Sequence, residues 1–165
     1  MTSPDAVLSI SRDIAAPAAV LFAHLTRPAD HLAIDGSGLV RGPDDPDQVL
    51  SGVGDVFVMR MCNEFLGDYA TDNHVVEFEL DRRIAWEPVL KETDKPEAQS
   101  NIGVPAHLRW VWELTPLPGG STRVTESYDL SRCPAWLHEA TKEGEDWREA
   151  IEASLANLAR LAEGV

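Results

Sequence analysis

The sequence predicts an α+β fold in which a curved antiparallel sheet of about six to seven strands wraps a long C-terminal helix, with two short helices after the first strand. Three observations predict it. Five strand-like runs succeed one another between residues 55 and 130, parted by turn signals at Gly67-Asp68, Asp81-Arg82 and Pro118-Gly119-Gly120. Trp147, Ile151, Leu155, Leu158 and Ala162 form an i, i+4, i+8, i+11, i+15 stripe, one face of a long helix. A sheet with one apolar face needs a cover, and that helix supplies it.

In chain order, residues 7–14 place Leu8, Ile10 and Ile14 on one face of a half-buried first strand. Pro17 pre-sets a first helical turn, and Val20, Leu21, His24 and Leu25 follow at helical spacing. Thr26 is placed to cap a second short helix opening at Pro28 and running through Ile34, with Gly36 as its stop. From Leu39 to Gly54 the turn residues Gly42, Pro43, Asp44, Asp45, Pro46 and Asp47 predict an exposed loop or short edge hairpin. The meander then takes residues 55–61, 73–80, 83–86, 108–114 and 122–130 as strands. Leu90 to Ala106 is polar and without periodicity, which predicts a flap. Pro134 to Glu143 reads as a lead-in helix, parted by Gly144 from the terminal one.

Length and composition bound the function. With 165 residues and 18.1 kDa, the expectation is one domain over residues 1–165. Lys and Arg number 14 against 28 Asp and Glu, a net charge of −14 that repels nucleic acid and anionic membrane. Cys62 and Cys133 form no CxxC pair and are expected to be reduced thiols. The start lacks a basic segment followed by an apolar one, and the run from Ala15 to Ala23 is broken by Pro17, so the expectation is a cytoplasmic protein with no membrane span.

Four segments together carry a family resemblance: Asp13-Ile14-Ala15-Ala16-Pro17; Asp35-Gly36-Ser37-Gly38; residues 73–79 with Arg83-Ile84-Ala85-Trp86; and residues 122–129. In this order the chain, from about residue 5 to 163, resembles the SRPBCC superfamily, the START-like, birch-pollen-allergen-like group that includes polyketide cyclase/dehydrase-like proteins. The resemblance implies a helix-grip fold around an internal apolar cavity. It also implies binding of lipids, sterols, hormones or polyketides, with some members catalysing cyclisation or dehydration and one branch activating a chaperone. No catalytic set of a particular member transfers residue by residue.

Alternation along the strands predicts the inward faces. Phe57, Met59 and Met61 share one, His74, Val76, Phe78 and Leu80 another, and Trp86 pairs with Ile84. Trp110 and Trp112 join Leu108 and Leu114, Glu126 falls between Val124 and Tyr128, and Ile151 and Leu155 face the sheet from the helix. Such residues either fill a core or line a cavity; the expected ligand-binding set is Phe57, Met59, Met61, Val76, Phe78, Trp86, Trp110, Trp112, Ile151 and Leu155. On an apolar face the Glu126 carboxyl needs a partner, which is a backbone group, the Tyr128 hydroxyl, a bulge that turns it to solvent, or a ligand. Glu126, His74 and Tyr128 together would make a general acid–base set.

Cofactor and metal signatures are lacking: no GxGxxG after a strand, no Walker loop, no GxSxG and no HExxH, and His24 and His31 lack ligand spacing. Arg60 and Arg109 fall opposite the apolar sets and should pair with surface carboxylates. The expected partner is a small hydrophobic or amphipathic molecule, with no cofactor, and a homodimer is left open. The alternatives are a cofactor-independent polyketide cyclase or dehydratase using the same pocket, and a protein-interaction module of the chaperone-activator type.

Overall fold

A computed structural model describes residues 6–164. Strands β1 (Val7–Ile14), β2 (Val40–Pro43), β3 (Val56–Asn63), β4 (Gly67–Glu79), β5 (Arg83–Thr93), β6 (Arg109–Pro116) and β7 (Thr122–Asp129) form one antiparallel sheet in the order β1-β7-β6-β5-β4-β3-β2. Helices α1 (Ala18–Leu25) and α2 (His31–Ile34), the latter preceded by a 3₁₀ turn, fill the connection between the two edge strands; α3 (Ala135–Ala140) and α4 (Arg148–Glu163) end the chain. This is the helix-grip arrangement: α4 packs on β1, β7, α1 and α2. Among the described residues no helix is long and apolar enough to cross a membrane.

The stripe on α4 buries Ile151, Leu155 and Leu158 to 1% exposure or less, against a core that includes Ile14, Leu21, Leu25, Ile84 and Val124. Each such side chain contributes roughly 1.5–3 kcal/mol relative to an exposed one. The α2–α4 contact is close because residue 36 is glycine. A Cβ there would meet the Ala150 carbonyl oxygen at 2.3 Å and the Ser154 nitrogen at 2.6 Å. The bare backbone lets the Gly36 N–H donate to Ser154 Oγ at 2.8 Å, and Asn157 Nδ2 donates to the Ile34 carbonyl at 3.1 Å. The two helices are thereby tied at the cavity's edge.

Three expectations about segments are corrected. Thr26 does not cap the second helix: Arg27 stands at the cap of the 3₁₀ turn with no side-chain hydrogen bond, and the Thr26 hydroxyl donates back to the Ala23 carbonyl. The flap is shorter than Leu90–Ala106, because β5 runs on to Thr93 in register with Tyr69 of β4, and a 3₁₀ segment occupies Pro96–Asn101. Gly67 is the first residue of β4 rather than the turn, since the hairpin closes through Asn63, whose Oδ1 accepts from the Phe65 and Leu66 N–H groups. The Leu39–Gly54 segment contains the short edge strand β2, paired with β3.

Candidate functional site

Between the concave face of the sheet and the first turns of α4 lies a cavity of about 240 Å³, bordered by α2. Alternation on three strands supplies most of its apolar wall: Phe57, Met59 and Met61 from β3, Trp110 and Trp112 from β6, with Trp86 from β5. Helix α4 contributes Ala150, Ile151 and Ser154, and Trp147 stands just before it. The aromatic rings brace one another: Trp86 meets Phe57 edge-on at 5.3 Å, and Trp110 meets Trp147 edge-on at 5.2 Å.

Glu126 is the polar centre of this wall. Strand β7 buries Val124, Glu126 and Tyr128 on one face, and Glu126 lies opposite Trp112 of β6 and Ile10 of β1. It is 6% exposed, and its Oε2 is buried without a hydrogen-bond partner among the described residues. Burial pushes its pKa well above the ordinary carboxylate value, and the charge of Asp35 across the cavity adds to the shift. Asp35 is itself held: its carboxylate accepts from the N–H groups of Ser37, Gly38 and Val40 and from the Ser37 hydroxyl at 2.6 Å.

Other polar groups reach the cavity from β4 and α2. Asn73 Nδ2 donates to the Phe57 carbonyl at 3.1 Å and to Thr71 Oγ1 at 3.0 Å, which fixes its amide and leaves Oδ1 without a donor among the described residues. His31 Nε2 donates to the Leu25 carbonyl at 2.9 Å; a carbonyl only accepts, so this nitrogen carries the proton and Nδ1 keeps a lone pair. Burial lowers the His31 pKa. Tyr69, whose phenol is pushed up to about 12 by burial, completes the titratable groups of the lining.

The expected site set divides. Phe57, Met59, Met61, Trp86, Trp110, Trp112 and Ile151 border the cavity with Glu126. His74 does not: it is exposed on the opposite face of β4, where Thr71, Asn73 and Val75 point inward. Val76 is the extra residue of a bulge, since Val75 pairs with Trp86 and Glu77 with Ala85. The bulge reverses the phase, so Phe78 turns inward against Phe22 at 5.4 Å, outside the cavity, and Leu80 is 70% exposed. Tyr128 is buried but packed away from the cavity, stacked on Trp147 and edge-on to Trp110, close under Gly144. Leu155, next to the cavity-lining Ser154, faces the core instead. The Glu126–His74–Tyr128 set is therefore not assembled.

Asn73, Thr71 and Ser154 are not among the site residues expected from the sequence, where His31, with Asp35 nearby, enters only as a metal candidate. A signal for β4 was present: Asp68 and Asp72 occupy even positions, Glu77 and Glu79 odd ones, so the charged face changes parity between them. Arg60 bonds Asp44 and Glu92, and Arg109 bonds Glu87 at 2.8 Å, on the outer face. His24 bonds Asp30 at 2.9 Å, and no cluster of three or more metal-ligating side chains occurs among the described residues.

Residues 5–163 match the family model described as polyketide cyclase / dehydrase and lipid transport. Two uncharacterised proteins of Mycobacterium tuberculosis, from strains CDC 1551 / Oshkosh and ATCC 25618 / H37Rv, are 33% and 31% identical over 156 residues. That alignment takes in 92% of this chain and only 62% of each relative, so the chain spans about three fifths of their length. A crystal structure from Nitrosomonas europaea superposes with a TM-score of 0.70 at 16% identity, covering 98% of this chain and 97% of the other. The solution structure of a polyketide-cyclase-like protein from Corynebacterium glutamicum gives 0.52 at 20% identity, covering 96% and 91%. At those identities the two structures establish the fold alone.

Proposed function

The chain belongs to the polyketide cyclase/dehydrase and lipid transport family of the SRPBCC superfamily, and from that membership we propose that it binds a small apolar or amphipathic organic molecule in the cavity between sheet and α4. The observation that carries this reading is Glu126, a buried carboxyl whose Oε2 lacks a partner among the described residues, at a wall built largely of apolar side chains and indoles. Leaving such a group unpaired costs about 1–3 kcal/mol, a cost that a bound polar group relieves. Desolvation of the ligand's body supplies affinity, and the polar group fixes its orientation.

The reading as a cyclase or dehydratase draws on the same carboxyl, a buried acid suited to proton transfer. It is the weaker one, because neither His74 nor Tyr128 borders the cavity with Glu126. For a docking module, the two most exposed large apolar side chains among the described residues, Phe65 and Leu80 at 77% and 70%, stand at opposite ends of β4 and form no common patch.

The test is native mass spectrometry of gently purified protein, then denaturing extraction and mass analysis of what is released. Wild type should carry or take up a small molecule stoichiometrically, and Ala150→Phe, which fills the cavity from α4, should not. Equal occupancy in the two proteins would overturn the cavity as the site. A released compound altered on incubation with fresh protein would favour turnover over binding.

A further inference from the structure

The wall of the cavity has a definite sign. Its ionisable side chains are Glu126, Asp35, His31 and Tyr69; among the described residues no lysine or arginine borders it. His31 brings no charge, since burial disfavours the imidazolium and its one N–H is spent on Leu25. An anionic headgroup would therefore meet two carboxyls and no counter-ion. The −14 charge of the whole chain acts the same way, excluding anions and concentrating cations.

The unspent hydrogen-bonding capacity matches that sign. Glu126 Oε2, Asn73 Oδ1 and His31 Nδ1 accept nothing from the protein among the described residues, whereas the N–H groups of Asn73 and His31 are already used. The hydroxyls of Ser154 and Tyr69 already accept from the Gly36 N–H and from Asn63 Nδ2, and each keeps an O–H to donate. Indoles of Trp86, Trp110, Trp112 and Trp147 present electron-rich surface to the same space.

Resting on the ligand-binding reading above, we propose that the cavity selects a small organic amine as its ammonium ion, the cationic nitrogen against the Glu126 carboxylate and its apolar body among the tryptophans. The ammonium N–H groups satisfy the orphaned oxygen, and the charge it brings offsets the burial that disfavours the carboxylate form of Glu126. A neutral carbonyl compound could accept hydrogen bonds at this wall but would bring no positive charge to its two carboxyls.

Three probes of matched shape decide it: 2-phenylethylamine, 2-phenylethanol and phenylacetate, titrated at neutral pH by calorimetry or by fluorescence of the wall tryptophans. Wild type should bind the amine about 10- to 100-fold more tightly than the alcohol, the range of a charge-assisted hydrogen bond, and phenylacetate least. Glu126→Gln should bind amine and alcohol equally, its retained affinity for the alcohol showing that the pocket is intact, and Glu126→Asp should keep the preference. Equal affinity of wild type for amine and alcohol, tightest binding of phenylacetate, or an amine preference that survives Glu126→Gln would overturn the amine assignment and leave the cavity reading standing. Binding of none of the three would overturn both.

Discussion

The His31 imidazole stacks on the Trp86 indole, ring centroids 5.2 Å apart and planes 19° from parallel, with Phe57 edge-on to it at 5.3 Å and its Nε2 tied to the Leu25 carbonyl. An imidazolium so placed would lose most of its hydration, so the neutral ring is the stable form and the pKa falls below the ordinary 6.5. The ring joins α2 to β3 and β5 and thereby holds one side of the cavity in place.

This sets a pH dependence. Below pH 6.5 the unfolded chain takes up a proton on His31 that the folded one resists, so stability falls as pH falls from there through the folded-state pKa. His31→Phe keeps an aromatic ring and removes the titration. Urea unfolding should show wild type losing stability relative to this variant as pH drops below 6.5 and a constant difference above it; a constant difference throughout would refute the neutral, buried ring.

Glu126 gives the opposite sign. Its folded pKa lies above the ordinary 4.5, so above that pH the unfolded state ionises while the folded state holds its proton, and stability falls with rising pH until the folded pKa is passed. The Glu126→Gln protein should therefore gain on wild type from pH 4.5 upward, measured as the difference in urea midpoint. A gap that stays level across this range would mean that the carboxyl is solvated.

Gly36→Ala should be strongly destabilising, because the new methyl collides with backbone atoms of α4 that cannot rotate away. We expect a loss of about 1–3 kcal/mol or more in chemical denaturation. Ser154→Ala, which only strands the Gly36 N–H, should cost about 1–3 kcal/mol and leave the fold intact. Thermal unfolding of the pair checks the order, and a Gly36→Ala protein as stable as wild type would show that α2 can lift off α4.

On β4 the neighbours His74 and Asn73 should behave differently. His74→Ala removes an exposed side chain and should change stability by no more than about 0.5 kcal/mol, with ligand uptake unaltered. Asn73→Ala removes the donor to Phe57 and Thr71 and should cost about 1–3 kcal/mol and weaken uptake. The reverse ranking would place the bulge elsewhere in the strand.

How much was legible depended on whether a feature follows from local periodicity. Strands β3, β6 and β7 pair without a register break in the β3–β4, β5–β6 and β6–β7 ladders, so Phe57, Met59, Trp110, Trp112 and Glu126 could be assigned to the inner face from spacing alone. Strand β4 carries a bulge at Val76, so the side chains before and after it alternate in opposite phases; read in phase with Phe78, His74 was lost and Asn73 missed. Tyr128 was placed inward correctly, yet inward means core at one end of β7 and cavity two residues earlier.

By itself, then, the sequence determined the class of fold, the α4 stripe that the sheet must cover, and the one carboxyl that strand alternation forces into an apolar face, because these are consequences of helical and strand periods acting over a few residues. Only the tertiary structure decided that His31, Asp35 and Ser154 border one cavity with that carboxyl while His74 and Tyr128 do not. Their meeting depends on the close approach of α2 to α4 at Gly36, a contact between segments 118 residues apart that leaves no trace in local spacing.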